Sequence, residues 1–264
     1  PIAAADLVHP DPASPEDLLR VHTEEYLRRI GEDDFTPAER LRLEVPFSPA
    51  LAEAMVLCCG GTTVCARQAL ADGVCVHLGG GFHHAFAGHG EGFCLLNDVA
   101  VAARALLADG SVARVAVVDL DVHHGNGTAA IFAGDPAVFT FSMHEEANYP
   151  LVKPPGDRDV GLPRGTGDAE YLRILDDHLP RILEAHRPEL VFYLAGADPY
   201  RGDRLGGLGL TIEGLRARDR RVLRCCRERG AGAAVVLAGG YAVDTADTVE
   251  IHCNTSREAA SAAR

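Results

Sequence analysis

Val115-Ala-Val-Val-Asp119-Leu-Asp121-Val-His123-His124-Gly-Asn126-Gly127 passes directly from an apolar run into a cluster of carboxylates and imidazoles. The run is short, rich in Val and unbroken by charge, so it reads as a strand buried on both faces. Side chains alternate along a strand, which aims positions 119, 121 and 123 to one side if the chain stays extended. Buried carboxylates need a cation or a metal to compensate them. Asp198, at the end of a later apolar run, repeats the placement and completes a set of two Asp and one His. Such a set leaves a tetrahedral metal an open position for water, as a catalytic zinc requires.

Outward from this run, apolar segments alternate with helical patterns. Residues 74–78, 138–143, 190–195 and 233–238 read as further buried strands, and residues 49–70, 97–107, 169–185 and 211–229 as helices. That alternation predicts an α/β fold, a mainly parallel sheet between crossover helices. Several strands end in loops dense in Gly, His or Asp: Gly79-Gly80-Gly81-Phe82-His83-His84, Ser142-Met143-His144, Gly196-Ala197-Asp198 and Gly239-Gly240-Tyr241. Ligands of open parallel sheets bind at the carboxyl ends of strands, so these loops are expected to meet in one crevice. Residues 145–167 read as a long loop bordering it. No repeat, low-complexity tract or linker divides the chain, and residues 1–264 read as one domain.

A formal net charge of −13 argues against a nucleic-acid partner or an anionic membrane surface, both of which need clustered Lys and Arg. The 47% hydrophobic content is ample for a core. Eight cysteines without CxxC spacing read as reduced thiols, no uninterrupted apolar run reaches the length of a membrane span, and the start lacks a signal-peptide pattern. A cytoplasmic location is expected, or a nuclear one in a eukaryote. The chain begins without Met, and an upstream piece is expected to be missing.

The adjacent His83 and His84 suit either metal ligation or proton transfer, and with a three-ligand set elsewhere they are left to handle protons. Tyr241, swung out after two glycines, is placed to donate a hydrogen bond to a developing oxyanion.

The segments GGGFHHAFAGHGEGFCLLND, VAVVDLDVHHGNG, FSMHEE, YLAGADPYRGDRLGGL and LAGGY resemble the successive signatures of the zinc-dependent histone deacetylase family. GDRLGGL and VHTEEYL resemble its class IV branch and bacterial relatives. The resemblance covers about residues 18 to 245 and implies the three-layer α/β/α arginase/deacetylase fold. It implies zinc on Asp121, His123 and Asp198, with His84 as general base, His83 as its electrostatic partner and Tyr241 polarising the acyl carbonyl. Gly92-Phe93 and Tyr149 become the walls of an acyl-lysine tunnel, and Glu44 the carboxylate that grips the substrate backbone. Asp119, Asp121, His123, Ser142 and Met143 match the positions that hold a structural potassium ion, mostly through carbonyl oxygens. The implied partner is an acylated lysine of a protein, with acetyl or longer acyl groups, or a small acylated amine such as an acetylated polyamine. Oligomeric state is left open.

Two departures stand out. Asn126 replaces the Asp of many family members and orients His84 without a charge of its own, which predicts an easily deprotonated ring. The family's first strand is expected to be missing from the amino terminus. A binuclear arginase-type site would want a second carboxylate two residues after Asp198, where this chain has Tyr200. An inactive acyl-lysine binding module would lack a ligand or a proton handler, and none is missing.

Overall fold

The computed structural model describes residues 7–263. Among them, six strands form one sheet: β1 (Val74–His77), β2 (Val115–Asp119), β3 (Val138–Glu145), β4 (Arg158–Leu162), β5 (Leu190–Leu194) and β6 (Gly232–Val236). Their order is β1-β6-β5-β2-β3-β4, and every pairing is parallel. The helices are α1 (Pro15–Leu19), α2 (Glu24–Glu32), α3 (Pro37–Leu43), α4 (Pro49–Asp72), α5 (Asp98–Ala108), α6 (Asn126–Ile131), α7 (Asp168–His186), α8 (Ile212–Glu228) and α9 (Thr245–Ala262).

Period-two alternation along the inner strands builds two cores. Val115, Val117, Phe192, Leu194 and Val236 face α4 and α5, while Ala116, Val118, Val191, Tyr193 and Val235 face α7, α8 and α9. Each fully buried Leu or Phe contributes on the order of 2 kcal/mol of transfer free energy to this arrangement. Local chemistry sets the helix ends: the Ser48, Asn97 and Thr211 side chains accept from backbone N–H groups of the first turns of α4, α5 and α8. Gly73 closes α4 at φ 91° and turns the chain straight into β1.

The predicted strands and long helices are all present. Residues 145–167 are not simply a loop, because β4 lies within them and pairs with β3 at the sheet edge. Its sequence Arg-Asp-Val-Gly-Leu is polar and mostly exposed, so it carries no apolar run to betray it. Among the described residues α4 alone is long and apolar enough to cross a membrane by length and composition. Here it packs on α5, β1 and β6, with Cys59, Gly60, Gly61, Cys65, Ala66 and Ala69 buried.

His22 ties the segment before α2 to the site loops. Asn97 N donates to His22 Nε2 at 3.1 Å, which leaves Nδ1 to carry the proton and donate to the Phe86 carbonyl, also at 3.1 Å. Burial pushes its pKa down from 6.5 to about 4, against the opposing pull of backbone hydrogen bonds from the Ala87 and Phe86 region. The unfolded chain therefore takes up a proton below pH 6.5 that the folded chain refuses until about pH 4. The His22 contribution is intact above that window and falls away as pH drops through it. Urea titrations at several pH values should show this loss, and His22→Gln should flatten it; equal slopes for the two proteins would refute the assignment.

Candidate active site

β2 ends at Asp119, and residues 121–123 bend rather than continue extended. The bend, not strand alternation, aims Asp121 and His123 inward, and Asp121 Oδ1 accepts the His123 backbone N–H at 2.9 Å. Asp198, beyond β5, accepts the Val122 N–H on Oδ1 at 2.9 Å. His123 Nδ1 then lies 3.0 Å from Asp121 Oδ1 and 3.3 Å from Asp198 Oδ2. One donor atom from each of the three residues falls within 4.8 Å of the others, and all three residues are buried.

Burial and the neighbouring Asp121 charge raise the Asp198 pKa, whereas Asp121 is held low, its desolvation overcome by His83 and His123. His123 is pushed up to about 11: burial opposes its charge, but its bond to Asp121 and the nearby Asp198 carboxylate outweigh that. The cluster thus calls for positive charge at its centre. Asp198 Oδ2 is buried with no hydrogen-bond partner, the kind of acceptor that is not left idle. A Cβ on Gly239 would come within 2.2 Å of that oxygen, so only glycine lets the β6 loop close over the cluster. Two carboxylates and one imidazole nitrogen with a free acceptor fit a metal ion.

His83 and His84 stand beside it. His83 Nδ1 lies 2.7 Å from Asp119 Oδ2, His83 Nε2 is 3.1 Å from His84 Nε2, and His84 Nδ1 is 2.7 Å from Asn126 Oδ1. The Asp119 and Asp121 charges overcome burial and raise His83 to about 9. Burial, then the His83 charge, hold His84 well below its ordinary value, despite the pull of Asn126. These shifts favour a charged His83 beside a neutral His84; the easily deprotonated ring expected from Asn126 comes instead from burial and the His83 charge, with Asn126 pulling the other way. Asp98, at the start of α5, accepts the Gly81 and Phe82 N–H groups and fixes the loop that carries both rings.

A cavity of about 230 Å³ opens above, lined among others by Glu44, Phe93, Tyr149, Leu205 and Tyr241. The Phe93 and Tyr241 rings meet edge-on at 5.9 Å, and Tyr149 stands perpendicular to His84 at 4.9 Å. Gly92, at φ 52°, leaves room that a Cβ would take from His84 and Tyr149. The Gly92 and Phe93 N–H groups bond to the Arg42 and Leu43 carbonyls, which brings Glu44 to the rim. Burial, then the Asp121 and Asp198 charges, raise the Tyr241 hydroxyl well above its usual pKa and keep it a donor.

Asp119 does not join the cluster. Its carboxylate is spent on His83 and on the Asp121 N–H, which corrects the expectation of three ligands projecting to one face. Ser142 pairs with Asp119 across β2 and β3, and its hydroxyl meets His144 Nδ1 at 2.9 Å; Met143 is wholly buried behind the site.

Four supporting residues escaped the sequence reading. Asp203 accepts the Tyr241 N–H at 2.6 Å, and Glu145 accepts the Gly207 N–H at 2.7 Å. Arg218, fully buried on α8, donates to the carbonyls of Leu120 and Gly196, the residues that lead into the Asp121 and Asp198 loops. Glu91 accepts from Asn126 and Tyr149 together. Asp203 and Glu145 lie inside recognised motifs, but Arg218 sits among several arginines of α8 with nothing to single it out.

The histone deacetylase domain profile matches residues 2–255. An uncharacterized protein of Picosynechococcus is 45% identical over 92% of this chain and 81% of its own length. Histone deacetylase 2 of Arabidopsis thaliana is 34% identical over 96% of this chain and 68% of its own. The crystal structure of an HDAC homolog from Aquifex aeolicus superposes with a TM-score of 0.84 at 26% identity, covering 98% of this chain and 74% of that one. A profile running almost end to end, on the fold and over the buried cluster just described, leads to one conclusion: the chain belongs to the histone deacetylase family of metal-dependent deacetylase hydrolases.

Proposed function

We propose that this chain hydrolyses the side-chain amide of acylated lysine, acetyl or longer, at a single zinc held by Asp121, His123 and Asp198. The observation that carries the reading is the buried, partnerless Asp198 oxygen facing His123 and Asp121 at the foot of a cavity walled by aromatic rings. Bound there, zinc would supply a Lewis acid for the acyl oxygen and lower the pKa of a water. His84, neutral and with Nε2 bare, takes the proton of the attacking water. His83, held cationic by Asp119, steadies the charge that gathers beside it. The Tyr241 hydroxyl donates to the oxyanion as the carbonyl carbon becomes tetrahedral. The imidazole then returns its proton to the departing amine. Phe93 and Tyr149 flank the methylene stem and keep water from it, with Glu44 at the rim holding the substrate backbone. We assign a structural potassium ion to the main chain around Asp119, Asp121, His123, Ser142 and Met143, a reading supported by the pairing that sets Asp119 beside Ser142.

The same reading takes residues 1–264 as one catalytic domain, supported by a single sheet whose strand ends lead into the loops of Asp121, His123, Asp198, His83, His84 and Tyr241. A cytoplasmic location is supported by eight unpaired thiols.

The test is metal content followed by amine release from acetyl-lysine and myristoyl-lysine peptides. One zinc per chain and turnover on at least one peptide are expected. Zinc far below one per chain without turnover would overturn the proposal. Tyr241→Phe should keep its zinc and lose about 10²- to 10³-fold in kcat, the usual loss for one oxyanion donor; an unchanged rate would remove Tyr241 from the mechanism.

A further inference from the structure

Behind His84 the hydrogen bonds continue to a residue with no assigned role. Asn126 Nδ2 donates to Glu91 Oε1 at 2.6 Å, and the Tyr149 hydroxyl donates to the same oxygen at 3.0 Å. His89 Nε2 lies 3.3 Å from Glu91 Oε2. Burial resists ionisation of Glu91, but the bonds from His89, Asn126 and Tyr149 outweigh it and hold the carboxyl below its ordinary value.

An ionised carboxylate only accepts, so hydrogen-bond accounting leaves the Asn126 amide one orientation. Its NH₂ must face Glu91, and its carbonyl oxygen must face His84. That oxygen is only an acceptor, so His84 Nδ1 must carry a hydrogen. The neutral His84 ring then has a bare Nε2, and His83 donates to it from Nε2 while donating to Asp119 from Nδ1. With Glu91 gone, the amide could turn over, and the proton on His84 could move to Nε2, with His83 releasing its own Nε2 proton and accepting there instead.

We propose that Glu91 is a positioning residue: one carboxylate oxygen, shared by Asn126 and Tyr149, fixes the tautomer of His84 and ties it to the pocket wall. Catalytic consequences of this rest on His84 acting as the base; the tautomer itself does not. Glu91 therefore sets the state of a ring it never touches. A methionine at 91 fills the space and cannot accept, whereas glutamine still offers an oxygen to both donors without the charge.

The test is made on the metal-loaded, full chain, with ¹⁵N NMR of the His84 ring nitrogens beside steady-state kinetics on an acetyl-lysine peptide. The native protein should show a protonated Nδ1 and a bare Nε2. Glu91→Met should mix the two tautomers and lower kcat about ten- to a hundredfold, the worth of one hydrogen bond to a charged group, with metal content unchanged. Glu91→Gln should recover most of that loss and the native ring signature. Tyr149→Phe, which removes the second contact alone, should leave the ring signature native. An unaltered His84 signature in Glu91→Met would overturn the proposal, as would a loss in Glu91→Gln equal to that in Glu91→Met. A chain without any turnover would sink the functional reading yet leave the ring measurement able to decide on Glu91.

Discussion

Asp198→Asn should lower turnover by about 10³-fold or more, on the order of the several kcal/mol that a Lewis-acid metal supplies, while leaving the metal-free protein as stable as before or more so. The two effects have opposite signs for one reason. Without metal, Asp198 is a buried carboxylate facing Asp121, and burial and that charge raise its pKa. A folded pKa above the unfolded one means stability is lost as pH rises through it, so the ionised form is a liability at neutral pH. Asn removes the charge and keeps the Oδ1 acceptor for the Val122 N–H. Metal changes the balance: a ligand at a hundred times its dissociation constant stabilises by about 2.7 kcal/mol. Thermal unfolding of the native protein should therefore shift upward with added zinc, and that shift should vanish in Asp198→Asn. A variant that still gained stability from zinc would show that Asp198 is not a ligand.

Arg218→Met should destabilise the chain by about 3–5 kcal/mol, the range for removing one partner of a buried ion pair. Arg218 and Asp219 are wholly buried, 2.9 Å apart, and Asp219 also accepts from Tyr193 and Thr255 at 2.5 and 2.6 Å. Methionine fills the volume but leaves Asp219 charged and the Leu120 and Gly196 carbonyls without their donor. Urea denaturation gives the number. Adding Asp219→Asn should restore part of the loss, because the stranded charge goes while the hydroxyl partners stay. A single variant within 1 kcal/mol of the native protein, on the scale of an ordinary surface change, would contradict this account.

The parts legible in the sequence were those where periodicity and chemistry coincide. Val115 to Val118 could only be a buried strand, and a carboxylate or imidazole at such a strand's end had to serve a site. The weaknesses lay where tertiary contacts override local pattern. Asp119 stands two residues from Asp121 and is the same type of residue, yet its carboxylate bonds to His83, because the chain bends after it. Strand β4 is exposed and polar, so pairing with β3 rather than hydrophobicity makes it a strand. Glu91 stood inside a quoted motif, but its meaning depends on Asn126, 35 residues away, and on Tyr149, 58 away. No local spacing announces a bond of that reach.

The strands that lead into the site, β2, β5 and β6, are wholly buried, whereas the segment after Tyr149 carries Leu151 at 98% and Val152 at 76% exposed. Amide hydrogen exchange should follow that gradient, since segments with few buried contacts open at far lower free energy than core strands. Amides of the inner strands should exchange only on global unfolding, and those around residues 151 and 152 within ordinary fluctuations. A protein built this way can let the segment after Tyr149 fluctuate while the Asp121, His123 and Asp198 geometry stays still.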